Sequence, residues 1–310
     1  MQMFRRAIII FCFALATSSC LLAQSDTVFR WAVAASGYRF FPDIEYKKAQ
    51  GQSLKLDVIA IEPLSQPRPT LLFIHGGGWV NGTKNEVTLA PLPFLSQGMN
   101  AVNIDYRLAN QSSAPASVAD CRCALRWIYR HAKEYGFDTS KIVIAGESAG
   151  GHLALMTAML PEDAGFDNEC SPHESDTPMR AAAVISYSGP TDVSDMLEGP
   201  HKSWFAIDWL GNAANRADLA RRISPINYVR PGLPSVILAH ADRDPLVPYE
   251  HSTRLHDALT RAGVPTQLIT VKGPIHGWAL EQELGVQEQV FEALRRFGIL
   301  PAENPINQRH

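Results

Sequence analysis

Lys141-Ile142-Val143-Ile144-Ala145 runs directly into Gly146-Glu147-Ser148-Ala149-Gly150, and the helix-prone stretch Gly151-His152-Leu153-Ala154-Leu155-Met156-Thr157-Ala158 follows. An apolar β-type run, a tight Gly-x-Ser-x-Gly turn and a helix are the parts of a nucleophile elbow. Glycines two residues before and two after the serine let the backbone turn sharply, so that the side chain projects from the top of a sheet. Ser148 is the candidate nucleophile.

This motif alone is only moderately specific in a chain of 310 residues, because Gly and Ser are both common. A second signal lies upstream in His75-Gly76-Gly77-Gly78-Trp79, immediately after the β-type run Thr70-Leu71-Leu72-Phe73-Ile74. Three glycines behind a buried strand leave main-chain N–H groups free to approach a developing oxyanion.

Outward from these two motifs the chain alternates strand and helix patterns. Two β-type segments, Asp43–Lys47 and Leu54–Ile61, read as an antiparallel hairpin at a sheet edge. Strands follow at Thr70–Ile74, Ala101–Ile104, Lys141–Ala145, Ala181–Tyr187, Ser235–His240 and Thr266–Val271. Helices are expected near Glu86–Gln97 and over Ser117–Tyr135, Ser148–Leu160, Tyr249–Ala262 and Glu281–Phe297. Val118, Cys121, Leu125 and Ile128 recur at helical spacing and give the second helix one apolar face. Repeated βα units with continuously apolar strands imply an α/β fold, a mostly parallel, doubly wound sheet with helices on both faces. Pro161–Arg180 and Pro190–Pro234 interrupt the rhythm. The second carries Trp204, Phe205 and Trp209, which suit either a satellite core under a long loop or the wall or lid of a pocket.

Residues 1–23 read as a signal peptide, with Arg5 and Arg6 before the apolar run Ala7–Ala16 and Leu21-Leu22-Ala23 as the cleavage site. The chain is thus expected to be exported, to the periplasm or the medium; a competing reading makes Cys20 a lipidated N-terminus. The remainder, Gln24–His310, fits one catalytic domain with a core over about residues 38–297. A net charge of −3 with dispersed Lys and Arg lacks the footprint of a nucleic-acid or anionic-membrane binder, and points to a small-molecule or polysaccharide partner. Beyond the leader, Cys121, Cys123 and Cys170 remain. Cys121 and Cys123 point to different faces of a helix and should not pair with each other. A link from Cys170 to either one, and three free thiols, both fit. No metal-ligand spacing is present, and neither metal nor cofactor is expected.

A serine hydroxyl needs a histidine base, and that histidine needs a carboxylate to fix its tautomer. Two loops can supply them. Strand Ser235–His240 runs into Ala241-Asp242-Arg243-Asp244-Pro245-Leu246-Val247-Pro248, and strand Thr266–Val271 runs into Lys272-Gly273-Pro274-Ile275-His276-Gly277-Trp278. His276, between the last β-type run and the last long helix, is the candidate base. Of the other histidines, His75 and His240 read as loop-capping residues and His152 as a packing residue. Asp244 is the candidate acid, with Asp242 in reserve as a residue that holds the turn. Glu147 reads as an elbow residue directed away from the chemistry, and Asp105-Tyr106-Arg107 as a buried pair supporting the glycine loop.

Taken together, Leu56-Asp57-Val58, the HGGGW loop, Asp105-Tyr106-Arg107-Leu108, Gly146–His152, Gly189-Pro190-Thr191-Asp192 and Asp244-Pro245-Leu246-Val247-Pro248 resemble the α/β-hydrolase superfamily, on its bacterial branch of feruloyl and acetylxylan esterases. The hormone-sensitive-lipase-like esterases are neighbours, but they carry a long helical cap, and here only Gln24–Phe41 stands between the leader and Pro42. The resemblance implies the order Ser, acid, His along the chain. It also implies oxyanion donors in the N–H groups of Gly77, Gly78 and Ala149. The expected activity is that of a secreted serine carboxylesterase acting on acetyl or feruloyl esters of plant polysaccharides. A lipase-like short-chain esterase, an amidase or peptidase with the same triad, and an inactive binding module are its rivals.

Overall fold

The computed structural model describes residues 37–170, 172, 176–212 and 214–302. The stretch 1–23 expected to be a signal peptide, and Cys20 within it, lie outside the described residues. An eight-stranded sheet has the order β1-β2-β4-β3-β5-β6-β7-β8. Its strands are β1 (Tyr38–Ala49), β2 (Gln52–Ile61), β3 (Arg68–Ile74), β4 (Asn100–Ile104), β5 (Phe137–Glu147), β6 (Ala183–Tyr187), β7 (Ser235–Ala241) and β8 (Thr266–Val271). The hairpin is at the edge: β1 pairs antiparallel with β2, and β2 antiparallel with β4. Every pairing from β4 through β3 and β5 to β8 is parallel.

The central strands are apolar throughout because both faces are covered. Along β3, Leu72 and Ile74 enter one core and Leu71 and Phe73 the other, the period-two alternation of a pleated strand. Helices α1 (Pro115–Arg130), α2 (Ala149–Met159), α3 (Trp204–Leu210), α4 (Arg216–Arg222) and α5 (Glu250–Arg261) contribute to the first core. The second is covered by α6 (Leu280–Arg296), through Val286, Val290, Phe291 and Leu294, together with Phe94.

Local differences from the sequence reading have local causes. The helix expected near Glu86–Gln97 is two fragments, a 3-10 turn at Lys84–Val87 and one α-turn at Leu92–Leu95. Pro91 and Pro93 lack the N–H a continuous helix would use there. The helix expected over Ser117–Tyr135 stops at Arg130 and resumes for one turn, Ala132–Tyr135, before Gly136 closes it in the left-handed conformation. Cys123 is joined to Cys170, with Cα atoms 5.1 Å apart, and Cys121 stays a buried free thiol. No helix among the described residues is long and apolar enough to cross a membrane.

Candidate active site

The elbow is a strained turn. Ser148 sits at φ 52°, ψ −121° between β5 and α2. Left-handed backbone at a residue with a Cβ is unfavourable, and surrounding bonds hold it there. Its N–H donates to the Tyr187 carbonyl at 2.7 Å, and its carbonyl accepts the His152 N–H at 3.1 Å. Gly150 must be glycine, because a Cβ would lie 2.1 Å from the Ile74 carbonyl oxygen at the end of β3. The elbow and the glycine loop are thereby pressed together.

The glycine loop begins where β3 ends. Gly77 has φ 102°, and a Cβ there would lie 2.1 Å from the Asn81 carbonyl oxygen, which forbids any side chain. The Gly77 carbonyl accepts the N–H groups of Val80 and Asn81, each at 3.1 Å. From below, the Tyr106 hydroxyl reaches the carbonyls of His75 and Gly76 at 3.0 and 3.1 Å, and its ring stacks on His75. Asp105 and Arg107, read as one supporting pair, work separately. Asp105 accepts the Lys84 N–H, whereas Arg107 grips Asp120 with two guanidinium nitrogens at 2.7 and 2.8 Å.

Trp79 ties this loop to the rest of the site. Its indole N–H donates to His152 Nδ1 at 3.2 Å, and His152 Nε2 donates to the Ile223 carbonyl at 2.6 Å. Trp209 of α3 stacks on Trp79 with ring centroids 4.3 Å apart. Burial pulls the His152 pKa down to about 4, so it is a neutral packing group. The aromatic trio therefore divides: Trp209 is core, while Phe205 and Trp204 line the cleft and Trp204 is largely exposed.

On the other side, His276 donates from Nδ1 to Asp244 Oδ2 at 2.7 Å, which leaves Nε2 free to accept a proton. The Asp244 side chain is fully buried, and His276 is 21% exposed. Asp244 Oδ1 accepts the N–H groups of Leu246 and Val247 at 2.8 and 3.0 Å. Burial alone would raise the Asp244 carboxyl, but the bonds from His240, His276 and Val247 outweigh it and hold the pKa far below the usual carboxylate range. His240 Nε2 lies 3.3 Å from Asp244 Oδ2 and 3.0 Å from the Val247 carbonyl, so this histidine fixes the loop and the carboxylate together. Asp242 faces the other way, bonding Lys272 Nζ at 2.8 Å and the Gly273 N–H at 3.1 Å.

Ser148, His276, Gly77 and Gly78 line one cleft of about 840 Å³, and Ala149 follows Ser148 at the start of α2. Glu147 is not turned away. It is exposed on the cleft wall, as is part of Glu283 from α6, a residue without a motif to mark it. Among the described residues no group of three His, Cys, Asp or Glu side chains could hold a metal ion.

A mostly parallel sheet with an antiparallel hairpin, a serine elbow behind its central strand and a His–Asp pair on the loops after β7 and β8 define an α/β-hydrolase. The model of the BD-FAE family matches residues 56–259, and the chain belongs to that family. Esterase LipC of Mycobacterium tuberculosis is 30% identical over 225 residues, 70% of this chain and 54% of LipC. Carboxylesterase NlhH of the same organism is 29% identical over 68% of this chain and 66% of its own length. The chain therefore spans between about half and two thirds of these curated relatives. The apo form of Thermogutta terrifontis esterase 2 superimposes with a TM-score of 0.71 at 29% identity, covering 86% of this chain and 97% of that one. A propionate-bound structure of that thermophilic esterase gives 0.70 at 28% identity, with the same coverage.

Proposed function

We propose that the protein is a carboxylesterase in which Ser148, His276 and Asp244 form a catalytic triad and the N–H groups of Gly77, Gly78 and Ala149 form the oxyanion hole. The observation that carries this reading is the 2.7 Å bond from His276 Nδ1 to the buried Asp244, at a cleft that His276 shares with the strained Ser148. Ser148 Oγ gives its proton to His276 Nε2 and attacks the ester carbonyl carbon. The oxyanion draws hydrogen bonds from the glycine loop and Ala149, and Asp244 stabilises the imidazolium. Collapse expels the alkoxide, which takes the proton from His276. Water then attacks the acyl-enzyme with His276 as base, and the acid leaves as Ser148 regains its proton.

Acetyl or feruloyl esters of plant polysaccharides are the proposed substrates. An open, aromatic-walled cleft large enough for more than an acetyl group is consistent with this, as is the propionate held by the Thermogutta relative. Export is proposed as well, supported by the leader sequence and by the Cys123–Cys170 disulfide, a bond suited to an oxidising compartment.

Initial rates on p-nitrophenyl acetate, p-nitrophenyl octanoate, methyl ferulate and acetylated xylan test the proposal. Ser148→Ala should lower kcat by about 10⁴–10⁶-fold. Undiminished hydrolysis by that variant would overturn the triad. Preference for octanoate would move the substrate class to lipids.

A further inference from the structure

The cleft is electrostatically one-sided. Besides His276 and Tyr187, the ionisable side chains lining it are Glu147 and Glu283, and no lysine or arginine stands among the described residues that line it. Glu283 is held in a fixed orientation. One carboxylate oxygen accepts the Trp278 indole N–H and the other accepts the Gln287 amide at 2.9 Å. Trp278 stands edge-on to Tyr187, with centroids 5.6 Å apart, so the acid is framed by aromatic walls. Glu147, adjacent to the nucleophile, is exposed to the cleft, and its carboxylate has no hydrogen-bonding or ion-pair partner among the described residues.

The two acids and the base feel one another. Desolvation raises the Glu147 carboxyl, the His276 ring lowers it and Glu283 raises it again. Two like charges between low-dielectric walls, with no cation to neutralise them, concentrate a negative potential in the cleft. A cation entering it gains Coulomb attraction and can lie against indole or phenol faces. A substrate carboxylate meets repulsion and loses its hydration without compensation.

We infer that Glu147 and Glu283 are specificity-determining residues that make this site select esters by charge. An ester bearing an ammonium group is taken ahead of its neutral isostere, and an ester bearing a carboxylate is rejected. The inference rests on the ester hydrolysis proposed above and adds the charge class of its substrates.

The test compares kcat/KM for acetylcholine, for 3,3-dimethylbutyl acetate, which has carbon in place of the quaternary nitrogen, and for 4-acetoxybutanoate. At low salt the cationic ester should exceed the neutral one by about tenfold or more, and the anionic ester should fall below it by a similar factor. The difference should sit mainly in KM and shrink at high ionic strength. Glu283→Gln, which keeps an amide oxygen for Trp278, and Glu147→Gln should each move both ratios toward one. Equal kcat/KM for the three esters, or ratios that survive in both variants, would overturn charge selection while leaving the triad standing. Hydrolysis of p-nitrophenyl acetate, and its loss in Ser148→Ala, reports the triad separately; if the parent does not cleave it, the proposed function and this inference fall together.

Discussion

Asp242 and Asp244 are two positions apart on one loop and have different work. Asp244 is buried, accepts two loop N–H groups on one oxygen and meets His276 and His240 on the other. Asp242 is tied to Lys272 and Gly273 on the neighbouring loop. Asp244→Asn should therefore lower kcat by about 10⁴-fold, because an amide can present its NH₂ to His276 Nδ1 and favour the wrong tautomer. Asp242→Asn should leave kcat close to that of the parent. Steady-state kinetics on the two variants decide the matter, and a reversed order would reassign the acid. Asp244 could be singled out in the sequence because strand, loop and carboxylate are contiguous, and its side chain meets His276 in the structure. The second partner of Asp244 was not readable in the same way: His240 was recognisable as a loop-fixing residue, but its 3.3 Å approach to the carboxylate depends on how the loop closes. Glu147 was misread for a related reason, since the wall that its side chain joins is completed by α6, more than a hundred residues away.

At the scale of elements, the long interruption after α2 is fastened to α1 by more than one kind of bond. Cys123 is joined to Cys170 across 47 residues, Arg122 pairs with Asp167, and Glu169 meets both Lys47 and Arg107. Replacing both cysteines, Cys123→Ser with Cys170→Ser, should cost about 2–4 kcal/mol of unfolding free energy, chiefly by freeing the unfolded chain. Urea titration under non-reducing conditions measures it, and an unchanged midpoint would show that the ion pairs alone hold the segment. The helical period of α1 had already placed Cys121 on the apolar face with Val118, Leu125 and Ile128. The bonding partner of Cys170 needed the course of residues 161–180, a segment with no periodic pattern to read. The same limit explains why the strands and the long helices were legible while the fragments around Pro91 and Pro93 were not. Continuous apolar strands and a 3.6-residue period are strong signals, whereas two prolines forbid one helix without saying what replaces it.

For the molecule as a whole, three buried histidines set the response to acid. Burial holds His75 and His152 down to a pKa of about 4 and His251 to about 3, so each is neutral in the folded protein at mildly acidic pH. They lie at different joints: the start of the glycine loop, the elbow helix α2, and α5 where it meets the Thr191 N–H. In the unfolded chain the same side chains titrate near 6.5. Between that value and the folded ones the unfolded state binds more protons, so stability must fall as pH decreases through this window. Asp244 acts in the same direction lower down. Its depressed folded pKa contributes stability above the ordinary carboxyl value near 4, which is lost as pH falls further. Thermal melts from pH 8 to pH 3 should thus show a plateau above about pH 7 and a decline beginning near 6.5, which becomes shallower below about 4, where His75 and His152 protonate in the folded state and Asp244 sustains the remaining slope. Calorimetry in buffers of different ionisation enthalpy should find that these three groups contribute an uptake of roughly three protons on unfolding near pH 5. Unfolding without proton uptake there would mean that the three histidines are charged in the folded state, contradicting the donor and acceptor pattern around them. Acid loss of esterase activity would then carry a reversible folding component, separable from titration at the triad by checking whether activity and folded fraction fall together.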